Sequence, residues 1–569
     1  MRRKGWRDVG GAIAIPLIGG LGITLILVFI VAVFVRSSAL LESAAGLETL
    51  ARLFGRRDYY VLIFDTLYFG VVTTATATLF GVALAWLTER TDLPGRSFIR
   101  ILMTVGILIP GFFTAMGWLF LAHPRIGMVN TWLSESLGLT VNIQTIPGMG
   151  LIQGLALATL SYVVAAPSLS AVDPVLEESA EAHGLGLWTR LTTITLPVVA
   201  PALVAGALLT FMVSLAVFDI PAVLGMSSKI ILFSTYTYNL LTPTDSLPRY
   251  DVAAAAAAPM LLLAVGLSVA YYRVVRQSHR YQVISGKGYR SKRASLPRSV
   301  VILSWMFVST YLFLAILLPL LTLIWISGLP YFRPVSVEAF ALLSLKNYVG
   351  LLTSSLWSSA ANTLIFSTVA PTITVAISLA ISWVITRRKG RASRWFEIVA
   401  FLPMSIPSAV FAVGAITMAL AMGSFLPIYG TIGLIIIVEA AIRISVATRI
   451  TNSAMLQIHN ELDEAGSVFG LSVLTRYTRI LIPLLMPALA FSWFFLALLA
   501  FRELTVPALL VSRSNVTLSV YTWGLLSTGN YGRASALTIL VIISILVFGL
   551  VTVAANSAVV HGRQTGARR

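Results

Sequence analysis

Two features of this chain could do chemistry: a short loop pattern written twice, and a few charges set inside apolar tracts. Residues 178–197 read ESAEAHGLGLWTRLTTITLP and residues 464–483 read EAGSVFGLSVLTRYTRILIP. Both copies place an acid (Glu178, Glu464), two small residues (Ser179 and Ala180; Ala465 and Gly466) and a Gly six positions after the acid (Gly184, Gly470). An Ile follows ten residues later and a Pro three beyond it (Pro197, Pro483). Such a pattern suits recognition of another surface. Each copy reads as two short helices separated by a turn, with Asp173 capping and Pro174 opening the first copy and Asn460 capping the second. Glu177, Glu178 and Glu464 then fall in early turns, where the helix dipole favours carboxylates. The small residues let a partner come close, and the glycines supply the positive φ of a sharp turn. An ordinary polar loop explains one copy; it does not explain two with the same spacing at matching places.

The second feature is a set of ionisable residues in or beside apolar tracts: Asp65, Asp219, Glu439, Arg443, Arg502 and Glu503. Charges there are costly and suggest function. Glu439 and Arg443, four apart, pair on one helix face; Asp219 stands near Pro221, and Arg502 and Glu503 near Pro507. A polar pathway or gate is the functional reading of Asp219, Glu439, Arg443, Arg502 and Glu503; a structural ion pair is the plainer one.

Other chemistry is missing. There is no Cys, so disulfides and thiolate metal sites are excluded. No G-x-x-x-x-G-K-[ST] run occurs, since Gly286-Lys287-Gly288 lacks the upstream Gly and the following hydroxyl, and the chain is not expected to hydrolyse ATP itself. No H-E-x-x-H appears, and the five His are scattered, so neither an enzyme nor a metal or cofactor site is expected.

The elements that must carry these residues are membrane spans. The chain has 569 residues, 57% hydrophobic and 11% charged, with mean hydropathy +0.90. A soluble chain is nearer a quarter charged. Apolar tracts of the length that crosses a bilayer begin near residues 10, 61, 98, 149, 198 and 253, and again near 299, 358, 396, 430, 484 and 534. Their length and the need to satisfy the backbone in lipid make them helices. The tract at 10–35 is too long for a signal peptide and reads as an uncleaved first span. With the N-terminus inside, 28 of the 40 Lys and Arg fall on inside segments, eight of them in residues 273–298, which predicts both termini in the cytoplasm. The net charge of +18 is thereby assigned to topology, with anionic membrane lipid as a secondary partner, and not to nucleic acid. Tyr59, Tyr60, Trp118, Trp132, Trp325 and Tyr331 fall near span ends and read as interface anchors. The Ala253–Ala258 run predicts close helix packing.

The chain also aligns with itself. Asp65-Thr66-Leu67, Arg90 and Pro110 match Asn362-Thr363-Leu364, Arg387 and Pro407 at an offset of 297; Gly184 and Pro221 match Gly470 and Pro507 at 286. An even number of spans separates the copies, so the repeat is parallel. The expected division is a six-helix half at 1–280 with its loop near 173–197, a basic linker at 281–298, and a second half at 299–569 with its loop near 460–483.

The loop pattern resembles the EAA loop of the membrane subunits of ABC importers, the loop that docks onto a separate ATPase, and the two copies look like two such subunits fused. The likeness runs along nearly the whole chain and is greatest to the fused permeases of iron(III) transport systems. Beyond the loops it is carried by Arg90–Arg96 (RTDLPGR), Arg280–Arg290 (RYQVISGKGYR), Phe218–Gly225 (FDIPAVLG) and Arg502–Leu510 (RELTVPALL). The resemblance implies an all-α polytopic fold of the type I importer permease (MetI-like), with about 12 transmembrane helices in two parallel six-helix halves. It implies inward movement of a small solute by alternating access, ferric iron first, with polyamine, thiamine, phosphonate or sulfate served by the same architecture. It further implies a cytoplasmic ABC ATPase dimer that uses ATP and magnesium, an extracytoplasmic substrate-binding protein, and a bacterial or archaeal cytoplasmic (inner) membrane. The second loop departs at Gly466 and Ile482; Gly is less helical than Ala, so weaker coupling is expected of that half. A gradient-driven carrier would instead use Glu439 or Glu503 and give the paired loops no role. A membrane scaffold would need no polar residues within spans.

Overall fold

The computed structural model describes residues 2–107, 109–243, 246–278, 293–388 and 390–566, with 2–11, 174, 276–278 and 550–566 described as backbone only. The string Arg280–Arg290 and most of the expected linker lie outside the described residues. Among those described the chain is helical, and a single bridge between Thr91 and Ala294 is the extended pairing present.

The first repeat runs α1 (Arg2–Ser38), α2 (Ala44–Gly55), α3 (Arg57–Glu89), α4 (Arg96–Gly106), α5 (Gly111–Ala122), α6 (Met128–Leu137) and α7 (Ile146–Ser170). The loop helices α8 (Pro174–Ala182) and α9 (Leu187–Arg190) follow, then α10 (Leu196–Ala216), α11 (Phe233–Leu241) and α12 (Tyr250–Ser278). The second repeat opens with α13 (Arg298–Leu312) and α14 (Leu318–Ser327), joined through a π turn, and continues with α15 (Ser354–Arg387), α16 (Arg391–Phe401) and α17 (Ser408–Ala421). Then come α18 (Ile432–Leu456), the loop helices α19 (Asn460–Val468) and α20 (Val473–Arg476), α21 (Ile482–Phe501), α22 (Leu518–Ser527) and α23 (Tyr531–Gly566).

Among the described residues nine helices are long and apolar enough to cross a bilayer, and eleven spans result if each of two bent pairs counts as one. The spans expected near 98 and 396 are those bent pairs: α4–α5 turns by 99° and α16–α17 by 106°, so neither is a straight crossing. Pro110 and Pro407 cause the bends. Each sits extended (ψ 137° and 134°) immediately before the second helix of its pair, where a Pro can neither donate to the ladder nor let its predecessor stay helical. The span expected near 430 is α18, 25 residues long, which carries Glu439, Arg443 and Arg449 and is therefore too charged to face lipid.

In each repeat the long second span packs most extensively on the helix that leads into the loop: α3 on α7, and α15 on α18. The first span of each repeat crosses over to the other: α1 packs on α15 and α17, and α14 packs on α5. Two glycines related by the 297-residue offset receive these crossings. A Cβ on Gly117 would stand 2.6 Å from the Cα of Pro319, and one on Gly414 would stand 2.9 Å from the carbonyl carbon of Phe29. Absence of a side chain is what lets the backbones approach, as small residues do wherever lipid-embedded helices pack. The expected Ala packing is present too, with Ala253–Ala257 fully buried. Tyr59 differs from expectation. It is buried, and its hydroxyl donates to the Ala256 carbonyl at 3.0 Å, so it holds α3 to α12 instead of anchoring at an interface.

Candidate functional site

The two loops fold alike, and local chemistry explains how. Asp173 caps α8 through a 3.0 Å bond from the Val175 amide to its carboxylate. Helix α8 ends where the Leu185 amide reaches back to the Ala180 carbonyl (3.0 Å), and α19 ends where Leu471 reaches Gly466 (3.0 Å). This six-to-one closure needs a left-handed residue, and Gly184 (φ +80°) and Gly470 (φ +71°) provide it. The short helices α9 and α20 then run through π turns, Leu191–Thr195 and Tyr477–Leu481, into the next spans. Pro197 and Pro483 stand at the start of those spans, both exposed. Their missing N–H and bulky ring disfavour the i–4 ladder, and the chain slips to i–5, with Leu196 donating to Leu191 and Ile482 to Tyr477.

Two expectations are corrected here. Asn460 does not cap α19: His459, the counterpart of Asp173 at the 286 offset, occupies the N-cap position without a side-chain bond, and Asn460 is already helical. Gly466 is not open to a partner. It is buried beneath the Arg476 stem, whose Cδ would lie 2.9 Å from an added Cβ. Its equivalent Ala180 is 7% exposed, so the second small position serves packing within the loop, while Ser179 and Ala465 face outward. The smallness of Gly466 is thus required locally.

The loops are braced differently. Buried Arg90, at the end of α3, pairs with Glu177 of α8 at 2.5 Å and donates to the Val172 carbonyl at 3.1 Å. Thr195 donates to the other Glu177 oxygen at 2.6 Å. The backbone of Arg90 is meanwhile tied to Ala294, near the end of the linker, whose amide donates to the Arg90 carbonyl at 3.0 Å. In the second repeat Arg387 keeps the carbonyl contact (Ile458, 3.1 Å), but the equivalent acid, Asp463, is taken by Arg476 of the loop itself (3.1 Å). Both loops are locked to themselves, the first through Arg190 and Glu181 at 2.7 Å, and the first is in addition locked to a span by a buried ion pair. The sequence aligns Arg90 with Arg387 and counts both as inside-positive charges, with no role in bracing the loops.

What the loops present outward is apolar. Trp188 is 74% exposed, Val468 86% and Phe469 84%, and Val175, Leu176, Leu462 and Leu474 are exposed beside them. Glu464 is exposed and Glu178 half-buried. An apolar patch rimmed by acids on a structured loop is the signature of a protein contact.

The charges inside the spans meet. Arg443 pairs with Glu439 and with Glu503, each at 2.6 Å. Glu439 is 1% exposed, whereas Arg443 and Glu503 are part-exposed. Arg502 donates to the Ile109 carbonyl of the first repeat at 2.6 Å. Asp219, half-buried in the segment after α10, lies against the same bend, its Oδ2 3.0 Å from where a Cβ of Gly111 would be. Residues from two repeats therefore converge, Asp219 and Arg502 at the α4–α5 bend and Glu503, next to Arg502, on the Arg443–Glu439 pair; Asp65 does not join them and lies in the first third of α3. Among the described residues no three His, Asp or Glu side chains gather as a metal site.

A helical, multiply spanning chain with two outward-facing loops of one design, and a charge network where its repeats meet, is the membrane permease of a solute-transport system. It belongs to the family of binding-protein-dependent transport system inner-membrane components, whose family pattern matches residues 372–563. The chain is 26% identical over 518 residues, 88% of its length and 72% of the relative's, to the ferric transport system permease protein FbpB of Actinobacillus pleuropneumoniae. It is 27% identical over 443 residues, 75% of its length and 66% of the relative's, to a putative ferric transport system permease of Haemophilus influenzae. A sulfate transport system permease, CysT of Escherichia coli, is 31% identical over 204 residues, 36% of this chain and 70% of that one. The chain is accordingly the non-catalytic, multi-pass inner-membrane subunit of an ABC importer.

Proposed function

We propose that the chain moves ferric iron inward, both halves of the pathway being supplied by one polypeptide: residues 1–280 and 299–569, joined by the basic linker. The observation that carries the cargo is the match over most of the chain to two permeases named for ferric transport. In this reading a cytoplasmic ATPase dimer grips both loops. Trp188 and Phe469 fill its grooves, with Glu178 and Glu464 at the rim of the contact. Closure of the dimer on ATP and magnesium drives the loops together, and α8 pulls on α3 through Glu177 and Arg90. The two repeats then rock about the crossed first spans. The network of Asp219, Glu439, Arg443, Arg502 and Glu503 lines the path where the repeats part, and an extracytoplasmic binding protein delivers cargo to the face opposite the loops. Both termini lie in the cytoplasm.

Uptake of radiolabelled ferric iron tests the reading. Deletion of the chain abolishes uptake, the native chain restores it, and a normally expressed Glu178→Ala/Glu464→Ala variant does not. Unchanged iron uptake on deletion, with no parallel route, transfers the cargo to sulfate or another oxyanion, for which the sulfate permease likeness is the reason.

A further inference from the structure

We propose that the first repeat carries an oxyanion-binding site, absent from the second, on the face away from the loops. Helices α3 and α7 both end toward the loop, at Glu89 and Ser170; their opposite ends, at Asp58 and Ile146, border a cavity of about 640 Å³. That size suits a small ligand. All its lining residues fall between Thr49 and Val252, so it belongs to one repeat and is separate from the boundary where the charge network sits.

Four cations line it, Arg52, Arg56, Lys229 and Arg249, against two acids, Asp58 and Asp65. Arg52 is engaged by Glu48 at 2.5 Å and Arg56 by Asp58 at 3.5 Å. Lys229 and Arg249 have no ion pair among the described residues. Lys229 is moreover the one non-Gly residue with positive φ (+59°) among those described. A left-handed Lys is disfavoured, and such strain gathers where a side chain must be presented. The internal repeat supplies a control. At the same offsets that relate the two halves, Arg52, Arg56 and Lys229 correspond to Val349, Thr353 and Asn515. The second half carries no charge at those positions; it has two short helices (Val337–Phe340 and Lys346–Val349) where the first has α2, and Asn515 is not left-handed. The cations and the elements that carry them are therefore particular to the first repeat. Cations held together on a concave surface repel one another unless an anion sits among them. The chemistry selected is an anionic phosphate or carboxylate group, carried by a small solute or by a lipid headgroup.

The test uses the full chain in neutral detergent, titrated calorimetrically with pyrophosphate and with citrate, alongside native mass spectrometry of chain purified from membranes rich in phosphatidylglycerol. Lys229→Asn installs the residue of the other repeat and relieves the strained φ, so it separates lost binding from lost folding; Arg249→Gln is combined with it. Saturable binding of either probe, weakened by about tenfold or more in the double variant and by added salt, establishes a soluble-anion site. Retention of phosphatidylglycerol by the native chain, lost in the double variant, assigns the site to a headgroup. No probe bound and no lipid retained, or equal binding by native chain and variant, overturns the proposal.

Discussion

Replacing Arg90 by Met should release the first loop from its span. The native pair is 2.5 Å long, with Arg90 4% and Glu177 15% exposed. Two unit charges about 4 Å apart at an effective dielectric near 20 attract by about 4 kcal/mol, and removing one partner of a buried pair costs about 3–5 kcal/mol because the other is stranded. The loss falls on α8, whose other tie to the spans through this acid is the 2.6 Å bond from Thr195. Local opening of α8 should become easier by about 3 kcal/mol, which is about a hundredfold faster amide exchange in residues 174–182. Hydrogen-exchange mass spectrometry on the chain in micelles reads this directly. Arg387→Met is the internal comparison: it removes a hydrogen bond to Ile458 but no ion pair, so exchange in α19 should rise about tenfold. Equal effects of the two substitutions, or no change in α8, would refute the asymmetric bracing. In the assembled transporter the Arg90 variant should also lose ATPase stimulation by loaded binding protein while keeping basal turnover.

Further substitutions test other parts of the account. Arg443→Gln leaves Glu439 buried without its cation and should destabilise by about 3–5 kcal/mol in a denaturant titration in mixed micelles; the double variant with Glu439→Gln should recover part of that loss. Gly184→Ala and Gly470→Ala meet no atom within 4 Å, so only the positive φ is penalised, by about 1 kcal/mol each, with transport reduced and folding retained. Gly117→Ala and Gly414→Ala drive a methyl into the crossing first spans and should cost more, about 1–3 kcal/mol, read as lower thermal stability in detergent.

Local pattern foretold what is local. The repeated Gly and Pro carry the turns and helix ends of both loops, because each feature is decided within a few residues of itself. Charge in an apolar tract likewise foretold that Glu439 would pair with Arg443, four positions along the same helix. Contacts between distant segments had no such signal. The exchange of first spans depends on Gly117 meeting Pro319 and on Gly414 meeting Phe29, and nothing near any of them announces the other. The brace between Arg90 and Glu177 was hidden in the same way. Arg90 counted as an inside-positive charge and Glu177 as a helix-start acid, and each explanation was sufficient alone. The misassigned cap at Asn460 has a simpler cause: Arg387 holds the Ile458 carbonyl, the chain is extended at His459, and the helix begins one residue early. The bends at Pro110 and Pro407 were visible as prolines, but a 99° or 106° turn inside a hydrophobic run is invisible to hydropathy.

The central claim is that both loops grip an ATPase. The native chain has no Cys, so single cysteines at Ser179, Ala465 or Phe469, all exposed, can each carry a benzophenone label in membrane preparations. A cysteine at exposed Tyr429, outside both loops, serves as the control. The account predicts that illumination joins every loop position, and not the control, to a protein bearing a Gly-rich phosphate-binding loop, with yields that change when ATP is added. Labelled loops that capture no such protein, or capture it no more than the Tyr429 position does, would contradict it.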